Sequence, residues 1–404
     1  MGSVTHQRNF NRRSFTAIAA GVPALSSLDP DADEFSFGTN GIHTCYVSDG
    51  IGEDKELIIK GPGFGVKPGA AAPIRLFEPS KQRGWSPLGR RPDPEDVPPD
   101  TSYVSTPRVG DSGECIRAPL DGGGPIGLLG EVLLDEDMES RDELLGRRIF
   151  TAWRWRTDRS GVDVNEDQFN NGPEDPPRVG NIKLFRFWEN EGGGGAANIY
   201  VGYGGGTTTP DDPNDLQPIT PGMTMEHYPG STDSRMRLDP DNNFDWDTML
   251  NQWGFDEFEI LNSTGTDVPD GNFAWIRNGR RHTSDGASGS EGQLILNTVN
   301  TFASARPLLR FAPFQFQFTH SPGYYVYVDT YYADDSDYRV YLSEQSVWND
   351  TTIHKQELQI PVRWVDNSIH VRVRRGELDN FTGKYLYVVR DGTAVNTDGM
   401  LINV

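Results

Sequence analysis

Several short runs carry polar residues whose types and alternation could build a chemical face. Arg154 and Arg156 alternate with Trp153 and Trp155, and Arg186 stands two residues before Trp188. Glu257 and Glu259 alternate with Phe258, and Gln315 and Gln317 alternate with Phe314, Phe316 and Phe318. Tyr325, Tyr327, Asp329 and Tyr331 form a further set, with His320 just before them. In an extended strand successive side chains point to opposite faces, so each set shares one face. Gathered on one sheet, Arg154, Arg156, Arg186, Glu257, Gln315, Gln317, Tyr325 and Tyr327 would line a groove. Aromatic faces stack on apolar ring faces, while Arg and Gln bind hydroxyl or carboxylate groups, which suits a sugar chain. The alternative is a solvated sheet face laced by cross-strand Arg–Glu pairs.

The same residues bear on catalysis. Elimination from a uronic acid needs a group that neutralises the carboxylate, a base for the C5 proton and a proton donor for the leaving oxygen. Gln317, His320 and Tyr327 supply these types, with Arg186 and Tyr325 as further candidates. A retaining glycosidase would need two carboxyls, one as nucleophile and one as acid/base. After Glu257 and Glu259 the run ends in Asn262, which cannot transfer a proton. Asp239, Asp241, Asn243, Asp245 and Asp247 alternate oxygen ligands as a calcium loop does, so calcium is the expected cofactor. An acidic solvated turn is the alternative, because Phe244 and Leu250 occupy the sixth and twelfth positions, where an EF-hand has Gly and Glu. The histidines do not fall at zinc-ligand spacing. Gly192 to Gly195 lack the following Lys-Ser/Thr of a phosphate cradle.

Charge narrows the partners. The 404 residues hold 37 Lys and Arg against 59 Asp and Glu, a formal charge of -22. Such a surface repels nucleic acid and anionic membranes at long range, so neither is expected as a partner. No run of apolar residues is long enough for a spanning helix. Cys45 and Cys115 could form one disulfide or remain two buried thiols. Arg12, Arg13 and Phe15 before the mildly apolar run 17–25 resemble a twin-arginine export signal, and a disordered arm is the alternative.

The elements that must position these residues are strands. Residues 1–40 read as an arm or export signal. The run 56–60 is a short strand, and Gly61, Gly63 and Gly65 around Phe64 make a turn. This string resembles the opening of an IPT/TIG immunoglobulin-like domain, and it assigns 41–77 to the first part of such a module. Residues 78–146 look loop-rich, with prolines clustered at 92–99. Strong strands follow at 149–156, 182–188, 198–203, 255–261, 272–277, 308–319 and 324–332. Their spacing and Gly/Asp/Pro turns predict an all-β sandwich with no alternating helices.

The run from Trp253 through Asp270-Gly271 to Trp275 and Asn278-Gly279 resembles concanavalin-like and laminin-G-like jelly rolls, including polysaccharide lyases. That resemblance covers 78–334 and implies glycan binding. The Arg-Thr-Glu and Gln-Ile-His motifs of alginate-lyase-like jelly rolls are absent. Strands at 339–342, 357–361, 368–374 and 385–389 resemble the later part of a TIG domain, so 335–404 is read as the second part of a split module. The expected fold is a jelly-roll β-sandwich with a smaller Ig-like sandwich formed by the two chain ends. The expected function is carbohydrate binding by a secreted or surface protein. The alternatives are a polysaccharide lyase, or a structural component of a virion or extracellular filament that assembles with copies of itself.

Overall fold

The computed structural model describes residues 33–36, 44–47, 52, 54–73, 75–79, 102–105, 113–122, 126–127, 132–133, 148–164, 181–189, 198–204, 220–226, 234–237, 245–261, 272–281, 308–317 and 319–402. The strands are β1 (Asp33–Ser36), β2 (Thr44–Val47), β3 (Glu56–Lys60), β4 (Arg75–Phe77), β5 (Ser102–Ser105), β6 (Glu114–Gly122), β7 (Ile126–Gly127) and β8 (Val132–Leu133). There follow β9 (Arg148–Thr157), β10 (Asn181–Glu189), β11 (Asn198–Gly204), β12 (Thr220–Glu226), β13 (Ser234–Arg237), β14 (Gly254–Leu261), β15 (Asn272–Arg277) and β16 (Arg280–Arg281). The last are β17 (Leu308–Gln317), β18 (Thr319–Asp334), β19 (Arg339–Ser343), β20 (Gln356–Val365), β21 (Ser368–Arg372), β22 (Lys384–Arg390), β23 (Thr393–Ala394) and β24 (Met400–Ile402).

The protein is all-β, a jelly-roll sandwich joined to a smaller sandwich. The jelly roll comprises a seven-stranded sheet, β13-β12-β11-β10-β17-β7 with β8 on β17, and an eight-stranded sheet, β16-β15-β14-β9-β18-β6-β5 with β4 on β18. The alternation read in 149–156 is realised in β9. Trp153 and Trp155 are fully buried on its inner face, and Trp153 stacks on Phe258 and Tyr331. The inner-face Asp256 is buried because four donors satisfy it: the indoles of Trp155 and Trp275, and Nε and Nη2 of Arg277.

One irregularity changes the expected faces. The register of β18 on β9 shifts between Asp329 and Tyr331, and Thr330 takes a φ of 37°. A bulge inserts one residue and inverts the side-chain parity beyond it. Tyr327 and Asp329 therefore face outward, whereas Tyr331 turns into the aromatic core and Tyr332 takes the outer face. The outward set read as Tyr325, Tyr327, Asp329 and Tyr331 ends before Tyr331.

The smaller sandwich is one nine-stranded sheet, β1-β2-β3-β21-β20-β19-β22-β23 with β24 on β22. Its first half pairs β20 with β19, and its second half pairs β20 with β21 across a register shift at Pro361 to Arg363. Proline has no N–H for a ladder, so the irregularity falls where a bond is already missing. The sheet folds over this strand, and both halves enclose Leu57, Ile59, Val340, Leu342, Ile369, Val371 and Val388. Strand β3 pairs with β21, with Ile59 opposite Ile369 and Leu57 opposite Val371, so the early strand at 56–60 joins the late ones. Two boundaries move. Asp33–Ser36, read as part of the arm, pairs with β2, and Arg75–Phe77 joins the eight-stranded sheet through β18. Cys45 and Cys115 are separate buried thiols, and burial pushes the Cys45 thiol far up.

Candidate functional site

The outer face of the eight-stranded sheet is divided by the smaller sandwich. Phe150, Ala152, Phe255 and Tyr332 of the sheet pack against Tyr341, Leu358, Ile360, Tyr387 and Val389. Charged groups are enclosed with them. Arg154 is 2 % exposed and donates to the Glu357 carboxylate of β20. Glu257, 0 % exposed, accepts from the Tyr341 hydroxyl and from Gln356 Nε2 at 2.7 Å. Glu259 binds Arg339 and, at 2.9 Å, Arg281. Arg374 reaches Glu78 at 2.9 Å and the Thr330 hydroxyl at 2.8 Å.

The two neighbouring carboxyls are driven apart. Burial pushes Glu257 up to about 7, against the opposing Arg339 charge and the Tyr341 hydrogen bond. Burial would raise Glu259 as well, but Arg339 and Arg281 together hold it down at about 2. A split of this kind can mark an acid–base pair. Here both carboxyls are occupied by groups of the smaller sandwich or its contacts, so the split belongs to an interface. Arg154 and Glu257, expected to line an open groove, lie within that interface. Parity assigns a side chain to a sheet face but does not say what covers the face.

The rest of the face is open. Ser102 pairs with Arg117, Arg117 with Tyr327, and Tyr327 with Arg156. Trp253, just before β14, continues the row, with the Arg156 guanidinium 5.8 Å from its ring centroid. At roughly 4.8 Å per strand the row is about 19 Å long. Its side chains are all partly exposed. The Arg156 guanidinium lies 4.1 Å from the Tyr327 centroid, and that of Arg117 lies 4.4 Å from the Tyr325 centroid. Neither Arg117 nor Arg156 makes an ion pair among the described residues, and Nε of each has no hydrogen-bond partner there.

Asp158 stiffens the row by accepting from Tyr325 N at 2.6 Å and from the Tyr327 hydroxyl at 3.2 Å. Burial and the Asp158 charge raise the Tyr327 pKa above its ordinary value, against the Arg156 charge that lowers it. The phenol is therefore neutral at ordinary pH, a hydrogen-bond donor rather than a base.

The remaining sequence candidates are not brought to this row. Arg186 lies on β10, and Gln315 and Gln317 lie on β17, so all three belong to the seven-stranded sheet. The single groove expected from alternation is thus divided between two sheets. The backbone of His320 pairs with Asp121, and its side chain lies outside the described residues. Asp239, Asp241 and Asn243 also lie outside them. Of the last two calcium candidates, Asp245 uses its backbone carbonyl to accept from Thr248 and Arg277. Asp247 accepts from Gly161 N at 2.7 Å.

Sequence reading missed Arg117, Trp253 and Asp158. The signal for Arg117 was the alternation of Ile116, Ala118 and Leu120 around it, which Pro119 obscured. Pro119 sits opposite Tyr325, where the β6–β18 register shifts, a position at which proline is tolerated.

No family model and no curated protein matches the sequence. Among solved structures, a double mutant of alginate lyase Aly36B in complex with alginate trisaccharide is 14% identical, with a TM-score of 0.33, covering 55% of this chain and 81% of that one. Alginate lyase vAL-1 from Chlorella virus is 11% identical, with a TM-score of 0.33, covering 58% of this chain and 88% of that one. The binding domain of botulinum neurotoxin serotype G is 11% identical, with a TM-score of 0.32, covering 78% of this chain and 72% of that one. Likenesses at this level carry no statement about ligand or activity. No helix among the described residues is long and apolar enough to cross a membrane.

Proposed function

We propose that the protein binds an acidic carbohydrate, without catalysis, along the open row Ser102, Arg117, Tyr327, Arg156 and Trp253. One observation carries the reading: two guanidinium groups, in a chain of formal charge -22, are held on tyrosine rings and left without an ion-pair partner among the described residues. Arginine presents a planar fork that fits carboxylate or sulfate in bidentate fashion. The Tyr and Trp rings beside it offer apolar faces to a sugar. The row is preorganised by Asp158 and by the guanidinium–ring contacts, so less freedom is lost on binding. Acidic glycans are extracellular polymers, which gives the proposal a secreted or surface location.

Lyase activity is the competing reading, with Tyr327 as proton donor. Gln317, its expected carboxylate neutraliser, belongs to the other sheet, which favours binding alone. A glycan array spanning sulfated, uronic and neutral chains tests the proposal, with parallel ultraviolet monitoring for unsaturated products. Retention of acidic chains with flat absorbance is expected. Absence of binding to any acidic chain overturns the proposal, and rising absorbance replaces it with the lyase reading.

A further inference from the structure

Lys67 and Asp334 form a buried pair that the proposed binding row does not use. Val66 is exposed, and Lys67 turns inward beneath the strand-end Asp334, each side chain 1 % exposed. Lys67 Nζ lies 2.9 Å from Asp334 Oδ1 and 2.5 Å from the Ala70 carbonyl. Tyr332 donates to Asp334 Oδ2 at 2.8 Å. Gly69 brings the loop close to the neighbouring Asp335, whose Oδ2 is 2.9 Å from where a Cβ would stand.

We propose that Lys67 and Asp334 are joined by a side-chain amide bond that the folded protein forms by itself. One ammonium proton passes to Oδ1 across the 2.9 Å contact, the neutral Nζ attacks Cγ of Asp334, the Nζ–Cγ bond forms, and the Cγ–Oδ1 bond breaks. Oδ1 leaves as water with two of the three ammonium protons, so the step is a condensation without oxidant or reductant. Tyr332 stabilises the charge that develops on Oδ2.

The surroundings fit the amide better than the ion pair. An ammonium has three N–H donors, and only two acceptors face Lys67 among the described residues. An amide there has one N–H, with Ala70 O to receive it, and one carbonyl oxygen, with Tyr332 to donate to it. The amide also removes two charges from a site where ions are poorly solvated. Burial already pushes the Asp334 carboxyl up to about 7 against the Lys67 charge, which favours the uncharged acid that can lose water. Exclusion of solvent keeps the product from hydrolysis.

The bond would tie the loop after β3 to the end of β18, across 267 positions of sequence. Its test is the intact mass of the purified, denatured wild-type chain, with peptide mapping. The expected mass is lower than that of the sequence by one water, with the Lys67 peptide joined to the Asp334 peptide. Lys67→Arg should restore the full mass. Asp334→Asn, losing ammonia instead of water, should converge on the mass of the cross-linked wild type. A folded wild-type chain at its full sequence mass, or a missing water that persists in Lys67→Arg, would overturn the proposal.

Discussion

Arg154 and Arg156 stand two residues apart on one face of β9, yet Arg154 is paired with Glu357 under the smaller sandwich while Arg156 lies uncovered on the Tyr327 ring. The edge of the smaller sandwich passes between them. One strand therefore supplies an interface residue and a candidate ligand contact, and only the cover distinguishes them.

That relationship predicts opposite phenotypes for the same substitution. Arg154→Met strands the Glu357 carboxylate in the interface, with Arg374 at 3.8 Å as its remaining ion-pair partner among the described residues. Breaking a buried pair costs about 3 kcal/mol, so the thermal midpoint should fall while glycan affinity is preserved. Arg156→Met should leave the midpoint in place and weaken binding of an acidic glycan about tenfold. Thermal melts and binding isotherms on both variants check this.

The interface should also weaken as pH rises. Glu257 has a folded value of about 7 against an ordinary 4.5, so the folded state holds this proton more tightly than the unfolded chain. Its contribution to stability is fully present below about 4.5 and is lost as pH rises toward about 7. Glu259 has the opposite sign, contributing above about 4.5 and failing as pH falls toward about 2. Glu257→Gln removes the first dependence. Relative to wild type it should gain on the order of 2 kcal/mol between about pH 5 and about pH 7. Denaturant titrations across that range provide the measurement, and a constant difference would contradict the assignment.

The hairpin between β15 and β16 docks on the loop before β20. His354 N donates to Asn278 O at 2.9 Å, and Arg281 pairs with Asp350 at 3.0 Å. Gly279 has a φ of 76°, and a Cβ there would lie 2.3 Å from the His354 ring. Gly279→Ala should destabilise by about 2 kcal/mol through left-handed strain and this clash. Adding His354→Ala should recover the steric part only, which a double-mutant cycle of melting measurements resolves.

Much of the fold was legible because period-two alternation is a local property. The runs around Trp153, Phe258, Trp275 and Phe316 became strands close to where they were read. The early strand at 56–60 joined the late strands because its apolar Leu57 and Ile59 needed partners found only there. The site was less legible for three reasons. A bulge at Thr330 inverted the parity of Tyr331. Pro119 disguised β6 and hid Arg117. Assignment of β10 and β17 to a separate sheet, and burial of Arg154 and Glu257 by β19 and β20, are long-range events that alternation does not encode.

The most direct test of the central claim is calorimetric titration of heparin and alginate oligosaccharides, with a neutral β-glucan as control, into the wild-type chain and an Arg117→Ala/Arg156→Ala variant. The account predicts saturable binding of at least one acidic oligosaccharide, weakened by added salt as screening requires, with no heat from the glucan and loss of binding in the variant at unchanged melting temperature. Undiminished binding by the variant, or no heat from either acidic ligand with the wild type, would contradict it.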